Sequence, residues 1–406
     1  MFKNEKVRNA VFLGVLCSVS YLAVYIARNV LGAVTPQMIA SGGYTKEFIG
    51  SVSSVYFVFY AVGQLINGAI GDKIKARNMI SFGLILAGIC NFTFPILKNE
   101  LSIQFIYGMT GFFLSMIYGP MTKVVAENTE PHHATRCSLG YTFASFFGSP
   151  MAGMLASVMA WTTVFRVSSI VLWVMGAVCF VTFLLLEKRG IVKYGQYDRK
   201  KGDKREGAIK ELFKRDIVVF TLISLLTGVI RTTVIFWLPT YLAEYLKFPE
   251  SEATSIFSIC TLLICGSAFV SIFTYERLKR NMELTLLLMF TISTASFLGA
   301  YLVDFKTVNI VFMVMAIFFN NCAATMLWSV YCPSLKDTGI VSGATGFLDF
   351  MSYMAAAASS TIFANSVSAI GWGNLILVWA GLMLVGVATV LTFGPKRIFR
   401  KAESSK

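Results

Sequence analysis

Arg28 and Arg231 carry the strongest chemical signal in this chain. They lie 203 positions apart, each inside a long apolar run, and each is followed eight residues later by a proline, Pro36 and Pro239. A charged side chain in a lipid-spanning helix costs about 2.5–3.5 kcal/mol on insertion scales, so it faces a cavity or a partner. A guanidinium offers five N–H donors in a planar fork that fits phosphate or carboxylate oxygens. At 1.5 Å per residue both arginines lie roughly 20–27 Å from one membrane face. Two guanidiniums at one depth repel unless an anion sits between them, so the pair suits an anion site. The bland alternative is structural arginines satisfied by carbonyls or by Asp349.

Asp349 is the one acid deep within an apolar run, in ATGFLDFMSYM. Three roles compete for it: a partner for an arginine, a carrier of a coupling proton, or an acceptor for a substrate hydroxyl. Gln64 and the pair Asn320–Asn321 are mid-helix polar groups that either line a cavity or bond between helices. The segment Gly68-Ala-Ile-Gly-Asp72-Lys73-Ile-Lys-Ala-Arg77 stands where the second helix leaves the membrane. Its small residues permit close helix approach, and Asp72 is placed to cap or to pair with cations. With Lys123, Glu127 and Arg136 it reads as a cytoplasmic gate rather than a substrate site. The eight cysteines are scattered and form no CxxC. The adjacent His132 and His133 stand in a polar break without partners. No metal site and no cofactor are expected.

These residues need membrane-spanning elements to position them. Of 406 residues, 56% are hydrophobic and 14% charged. A soluble domain carries roughly 25% charged residues, and a chain this apolar belongs in lipid. The start has a basic end and an apolar run, too long for a signal peptide and without a small-x-small cleavage site, so it reads as a retained first helix. Cutting at polar breaks predicts helices over 10–34, 46–71, 79–97, 101–126, 136–159, 163–186, 217–245, 252–274, 284–303, 308–332, 341–367 and 371–394. The fold class is therefore an all-α membrane protein of 12 transmembrane helices.

Charge sets the sidedness. Of the 35 lysines and arginines, 27 fall in segments on one side and 4 on the other. That places both termini in the cytoplasm, with a bacterial-type inner membrane as the expected location. The net charge of +14 is then a topology signal, and no nucleic-acid partner is expected. The domains read as 1–187, a six-helix half; 188–215, a basic cytoplasmic linker; and 216–406, a second six-helix half with a cytoplasmic tail.

The halves match in register. At the same lag of 203, Glu47 pairs with Glu250, Gly63 with Gly266, and Arg77-Asn78-Met79 with Arg280-Asn281-Met282. A repeat after an even number of crossings is parallel, with its site expected between pseudo-symmetric halves at mid-membrane.

The motifs YIARNVLGAVTPQM around Arg28, IRTTVIFWLPTYLAEYL around Arg231, GFLDFMSYM and the 68–77 segment together resemble the organophosphate:phosphate antiporter family of the major facilitator superfamily. The resemblance covers nearly the whole chain. It implies that Arg28 and Arg231 bind the phosphate of solutes such as glycerol 3-phosphate or hexose 6-phosphates, with inorganic phosphate as counter-substrate. It also places Tyr25 and Tyr60 in the cavity. Phe147, Trp237, Asn320, Asn321 and Tyr353 are further candidates for lining it. Gln64 replaces a family lysine, Phe147 stands in place of a histidine, and Asp349 stands where a small residue is usual.

The expected function is transport, not enzymatic catalysis: exchange of a phosphorylated organic anion with phosphate by alternating access, by a monomer in the lipid bilayer. The rivals are a proton-coupled organic-anion symporter using Asp349 and a membrane sensor of sugar phosphate.

Overall fold

The structure, a computed structural model, describes residues 5–41, 43–71, 74–194, 212–335 and 341–393. Every regular element among them is helical. Hydrocarbon offers backbone groups no hydrogen-bond partner, and a helix satisfies them internally. The first helices are α1 (Glu5–Ala40), α2 (Lys46–Gly71), α3 (Ala76–Thr93), α4 (Glu100–Leu114) and α5 (Tyr118–Asn128). Next come α6 (Pro131–Phe146), α7 (Gly148–Val158) and α8 (Trp161–Lys188). Then follow α9 (Ile217–Gly228), α10 (Ile235–Glu244), α11 (Glu250–Ile264), α12 (Ser267–Arg277), α13 (Met282–Leu302), α14 (Lys306–Met326) and α15 (Val341–Phe393), with a three-residue helical turn at Cys332–Ser334 before α15.

Among the described residues, 10 helices are long and apolar enough to span a membrane. The sequence expects twelve, and the difference has two sources. First, α15 runs for 53 residues but contains Gly371 at φ 77 and ψ 167, where two helices meet at a sharp turn. Glycine has no Cβ and tolerates that φ. Trp372 then donates its indole N–H to Glu244 at 3.0 Å and fixes the turn. Second, the expected span 136–159 is divided at Phe147 into α6 and α7. The fold is consistent with twelve segments.

Proline chemistry accounts for two of the breaks. Proline lacks an N–H and its ring crowds the carbonyl four residues earlier. Pro120 lies just after the Ser115–Ile117 turn that divides the expected 101–126 helix, and Pro150 lies just after Phe147. Pro131 at the first position of α6 begins that helix earlier than the predicted start at 136. His133 therefore lies in a helical first turn and not in a loop.

Two compact units are present: residues 1–199 with 248–259, and residues 200–247 with 260–406. The same packing recurs inside each. In the first, α1 packs on α7, α2 on α4, and α3 on α8. In the second, α9 packs on α15, α12 on α14, and α13 on α15. The repeat extends to single contacts. A Cβ on Gly63 would meet Ser115 and come within 3.3 Å of the Phe112 Cα. Gly266 and Phe318, each 203 positions later than Gly63 and Ser115, are also neighbours, at 3.8 Å. Another close crossing is that of Gly148 of α7 on Tyr25 of α1, where a Cβ would stand 2.6 Å from the Tyr25 carbonyl carbon. Gly228, 203 positions after Tyr25, makes the matching crossing on Ser352 of α15, where a Cβ would stand 2.8 Å from the Ser352 carbonyl oxygen. Each crossing lies three residues before an arginine.

The start of the basic stretch is built into the first unit. Gly190 at φ 69 reverses the chain after α8, and Val192 is buried. Glu187 accepts from Arg77 Nη1 at 2.8 Å and from the Tyr194 hydroxyl at 2.8 Å. The Lys193 N–H donates to Asn128 Oδ1 at 2.7 Å. Burial and the neighbouring Glu187 carboxylate hold the Tyr194 phenol well above its ordinary range, so it stays a donor at neutral pH.

Gly228→Ala should lower the stability of the purified protein by about 1–3 kcal/mol, because the added methyl has no space against α15; a thermal melt checks this, and an unchanged melting temperature would contradict the close crossing. Tyr194→Ala should speed tryptic cleavage after Lys193 by about 2–10-fold, on the order of one lost hydrogen bond; equal digestion rates would show that the strap is not held.

Candidate functional site

Arg28 lies in the middle of α1 and is half-buried. Its guanidinium carbon is 5.2 Å from the Tyr25 ring centroid, 5.2 Å from that of Tyr60 and 5.9 Å from that of Phe57. Tyr25 is three residues earlier on the same helical face, and Tyr60 and Phe57 are three apart on α2. Aromatic faces attract a cation by about 0.5–2 kcal/mol each, the larger values applying away from water. Stacking uses the plane of a guanidinium and hydrogen bonding its rim, so ring contacts and oxygen acceptors address different parts of the group. Tyr60 is itself supported by Tyr56, stacked at 6.1 Å between centroids, and Tyr56 by Tyr107 at 5.0 Å. The Asn29 amide donates to the Tyr25 carbonyl at 2.6 Å beside this group.

Arg231 has a different setting. The first crossing of the second unit runs through α9, a π-helical segment Val229–Val234, and α10, and Arg231 lies in the π segment. A π turn holds one residue more than an α turn and is common at functional sites. Its effect shows in the stripe that α9 and α10 present to α15. Ser224 Oγ donates to the Leu348 carbonyl at 2.7 Å, Gly228 abuts Ser352, and Thr233 pairs with Ser359 at 2.8 Å. The spacing along this stripe is four residues and then five. A regular helix would bring residue 232 to that face, so the extra residue lies on the arc that carries Arg231. Arg231 is half-buried and makes no hydrogen bond or ion pair with another described residue.

The remaining sequence-derived residues fall into distinct settings. Gln64 is half-buried in α2 and forms no hydrogen bond to another described residue. Phe147 stands at the break between α6 and α7, with its ring 5.2 Å from that of Phe143. Asp349 is half-buried in α15, close enough to Cys332 to act on it electrostatically. Tyr353 is buried one turn further along. Trp237 is 1% exposed and its indole N–H finds no partner among the described residues. Asn320 of α14 is fully buried and donates to the Thr227 carbonyl at 3.3 Å. Asn321 is half-buried, with no partner for its carbonyl oxygen among the described residues.

In the expected gate, Arg77 bonds Glu187 and Arg136 is exposed. Glu127 is 8% exposed, with neither carboxylate oxygen bonded to a described residue. Asp72, Lys73 and the surroundings of Gly68 lie outside the described residues.

Phe57 was legible from its spacing to Tyr60 but was not selected by sequence reasoning. The π segment carries no sequence signal: Arg28 and Arg231 have the same spacing to their prolines, yet α1 is α-helical throughout.

Comparison with known proteins agrees with this architecture. The family model of the Major Facilitator Superfamily matches residues 17–357. The membrane sensor protein UhpC of Salmonella typhimurium is 27% identical over 93 residues, 23% of this chain and 21% of that protein. A probable hexose phosphate transport protein of Chlamydia trachomatis is 23% identical over 107 residues, 26% of this chain and 24% of that protein. The chain thus matches about a fifth to a quarter of the length of these curated relatives. They agree with the organophosphate:phosphate antiporter resemblance carried by the motifs. The crystal structure of a D-xylose-proton symporter superposes with a TM-score of 0.72 at 13% identity, covering 96% of this chain and 99% of that one. That likeness is one of fold. With a family model across most of its length and membrane-spanning helices in the matching fold, the chain belongs to the Major Facilitator Superfamily.

Proposed function

We propose that this transporter carries a phosphorylated organic anion, in exchange for inorganic phosphate, with Arg28 and Arg231 as the anion's ligands. The observation that carries the reading is Arg231: a guanidinium within a membrane span, half-buried, without a hydrogen bond or ion pair to any described residue. An uncompensated cation there costs several kcal/mol, and a bound anion offsets that cost. Arg28 supports it from the matching position of the repeat, stacked by tyrosines that orient the fork. Charge-assisted bonds from two forks favour a tetrahedral phosphate over a planar carboxylate, because phosphate offers three oxygens for more than one bidentate contact. Exchange follows if the empty carrier, with the Arg231 charge uncompensated by a described residue, reorients slowly and the loaded carrier quickly.

A second reading is favoured by the similarity to UhpC, whose description is that of a membrane sensor. A sensor would use the same arginines to bind, without appreciable flux.

Reconstituted vesicles separate the two. With phosphate inside, uptake of a labelled sugar phosphate should be rapid and should stop when internal phosphate is omitted. Uptake indifferent to internal phosphate, or abolished by a protonophore, sinks exchange; binding without uptake selects the sensor. Arg28→Ala and Arg231→Ala should each weaken anion binding by about 10–150-fold, the loss of one charge-assisted hydrogen bond of 1.5–3 kcal/mol. Lysine at either position should fall between, since it keeps charge but loses the fork. Full binding by the double alanine variant would remove the proposed site.

A further inference from the structure

We propose that Asn320 is a positioning residue for Arg231, acting through the carbonyl of Thr227. The inference rests on Arg231 being an anion ligand. Asn320 is on α14, fully buried, and its side-chain amide donates 3.3 Å to the Thr227 carbonyl. Thr227 is in the last turn of α9, directly before the π segment that carries Arg231.

The location matters because of what a π turn does to the backbone. An α-helix pairs each carbonyl with the N–H four residues on, and a π turn pairs it with the N–H five residues on. At the junction the ladder is stretched, and in a buried membrane span no water is present to make up a lost bond. A donor from a neighbouring helix at that point lowers the cost of the π form relative to the α form. Asn320 is that donor. The Thr227 hydroxyl is occupied elsewhere, bonding the Ile223 carbonyl at 2.7 Å, so it does not supply the need.

The second half of the argument is what the π form does to Arg231. Ser224 and Gly228 are fixed on α15 just before the segment, and Thr233, near the end of the segment, is fixed on α15 as well. Between those anchors the extra residue is accommodated on the arc holding Ile230, Arg231 and Thr232. Asn320 thereby biases the direction of the guanidinium without touching the anion. The carbonyl oxygen of Asn320 has no partner among the described residues, which is a cost. A buried amide held at one end only is best explained by the bond its other end makes.

The same segment in α1 sharpens the point. Arg28 has the same spacing to its proline as Arg231, but α1 has no π segment. The position 203 residues before Asn320 is Ile117, which has no hydrogen-bonding side chain. The half with a donor on the neighbouring helix has the π turn, and the half without it does not.

The test uses the full-length protein in vesicles with inorganic phosphate as the probe. Asn320→Leu and Asn320→Val both remove the amide N–H and leave no side-chain donor in its place. Each should raise the KM for phosphate about tenfold, the loss of roughly one hydrogen bond, with kcat little changed. The discriminating measurement is the same pair in an Arg231→Lys background, whose charge is flexible and does not depend on the fork's direction. There the Asn320 substitutions should add less than about twofold, because the two residues act as a unit. Equal losses in both backgrounds would show a general packing role and overturn the proposal, as would an unchanged KM in the single variants. Unaltered binding by Arg231→Ala is a different failure: it removes the anion-ligand reading itself. Melting temperatures of all variants, measured alongside, report folding, and Asn320→Ser is the substitute if those two do not fold.

Discussion

Hydrocarbon supplies no hydrogen bonds, and this constraint runs through the whole molecule. Each stretch of backbone either closes its own ladder or takes a partner from a neighbour. The neighbours do so repeatedly here. Ser224 bonds the Leu348 carbonyl, Ser271 that of Cys322 at 2.7 Å, and Ser293 that of Ala316 at 2.8 Å. The Trp173 indole bonds the Ile85 carbonyl at 3.2 Å. These bonds need helices close together, which glycine and serine at the crossings permit. The turns at Ser115–Ile117, Phe147 and Gly371 interrupt the ladder where proline or glycine makes regular continuation costly.

Charge in the spans is the second consequence. A guanidinium there must be surrounded by something other than lipid. The two units meet that demand unequally. Arg28 is framed by three aromatic rings on a regular helix, while Arg231 sits in a π turn without a described partner. An internal repeat supplies two cations of one kind at matching positions, and the structure gives them different surroundings.

Much of the architecture was legible because periodicity in a membrane protein is simple. Apolar runs of about 20 residues mark the spans. The repeat was legible as well, since Gly63 and Gly266, or Arg28 and Arg231, are related by one constant lag. Breaks inside spans were harder. The 101–126 and 136–159 spans were expected to be continuous, because Pro120 and Pro150 sit in apolar surroundings that hydropathy alone reads as helix. The 127–136 segment was expected as a loop, because its polarity hides a helix that begins at Pro131.

The sequence by itself determined membrane residence, the helical class, the internal repeat and the two arginines within it, because these depend on composition and spacing along one chain. Tertiary structure decided what surrounds each arginine. The rings around Arg28 come from two helices, and the donor at Thr227 comes from a third helix 93 positions away. The π turn lies between contacts from remote parts of the chain, with α14 bonding the Thr227 carbonyl and α15 meeting Ser224, Gly228 and Thr233. Local sequence sets which residues a helix presents; the direction in which they point is settled only when its neighbours are in place.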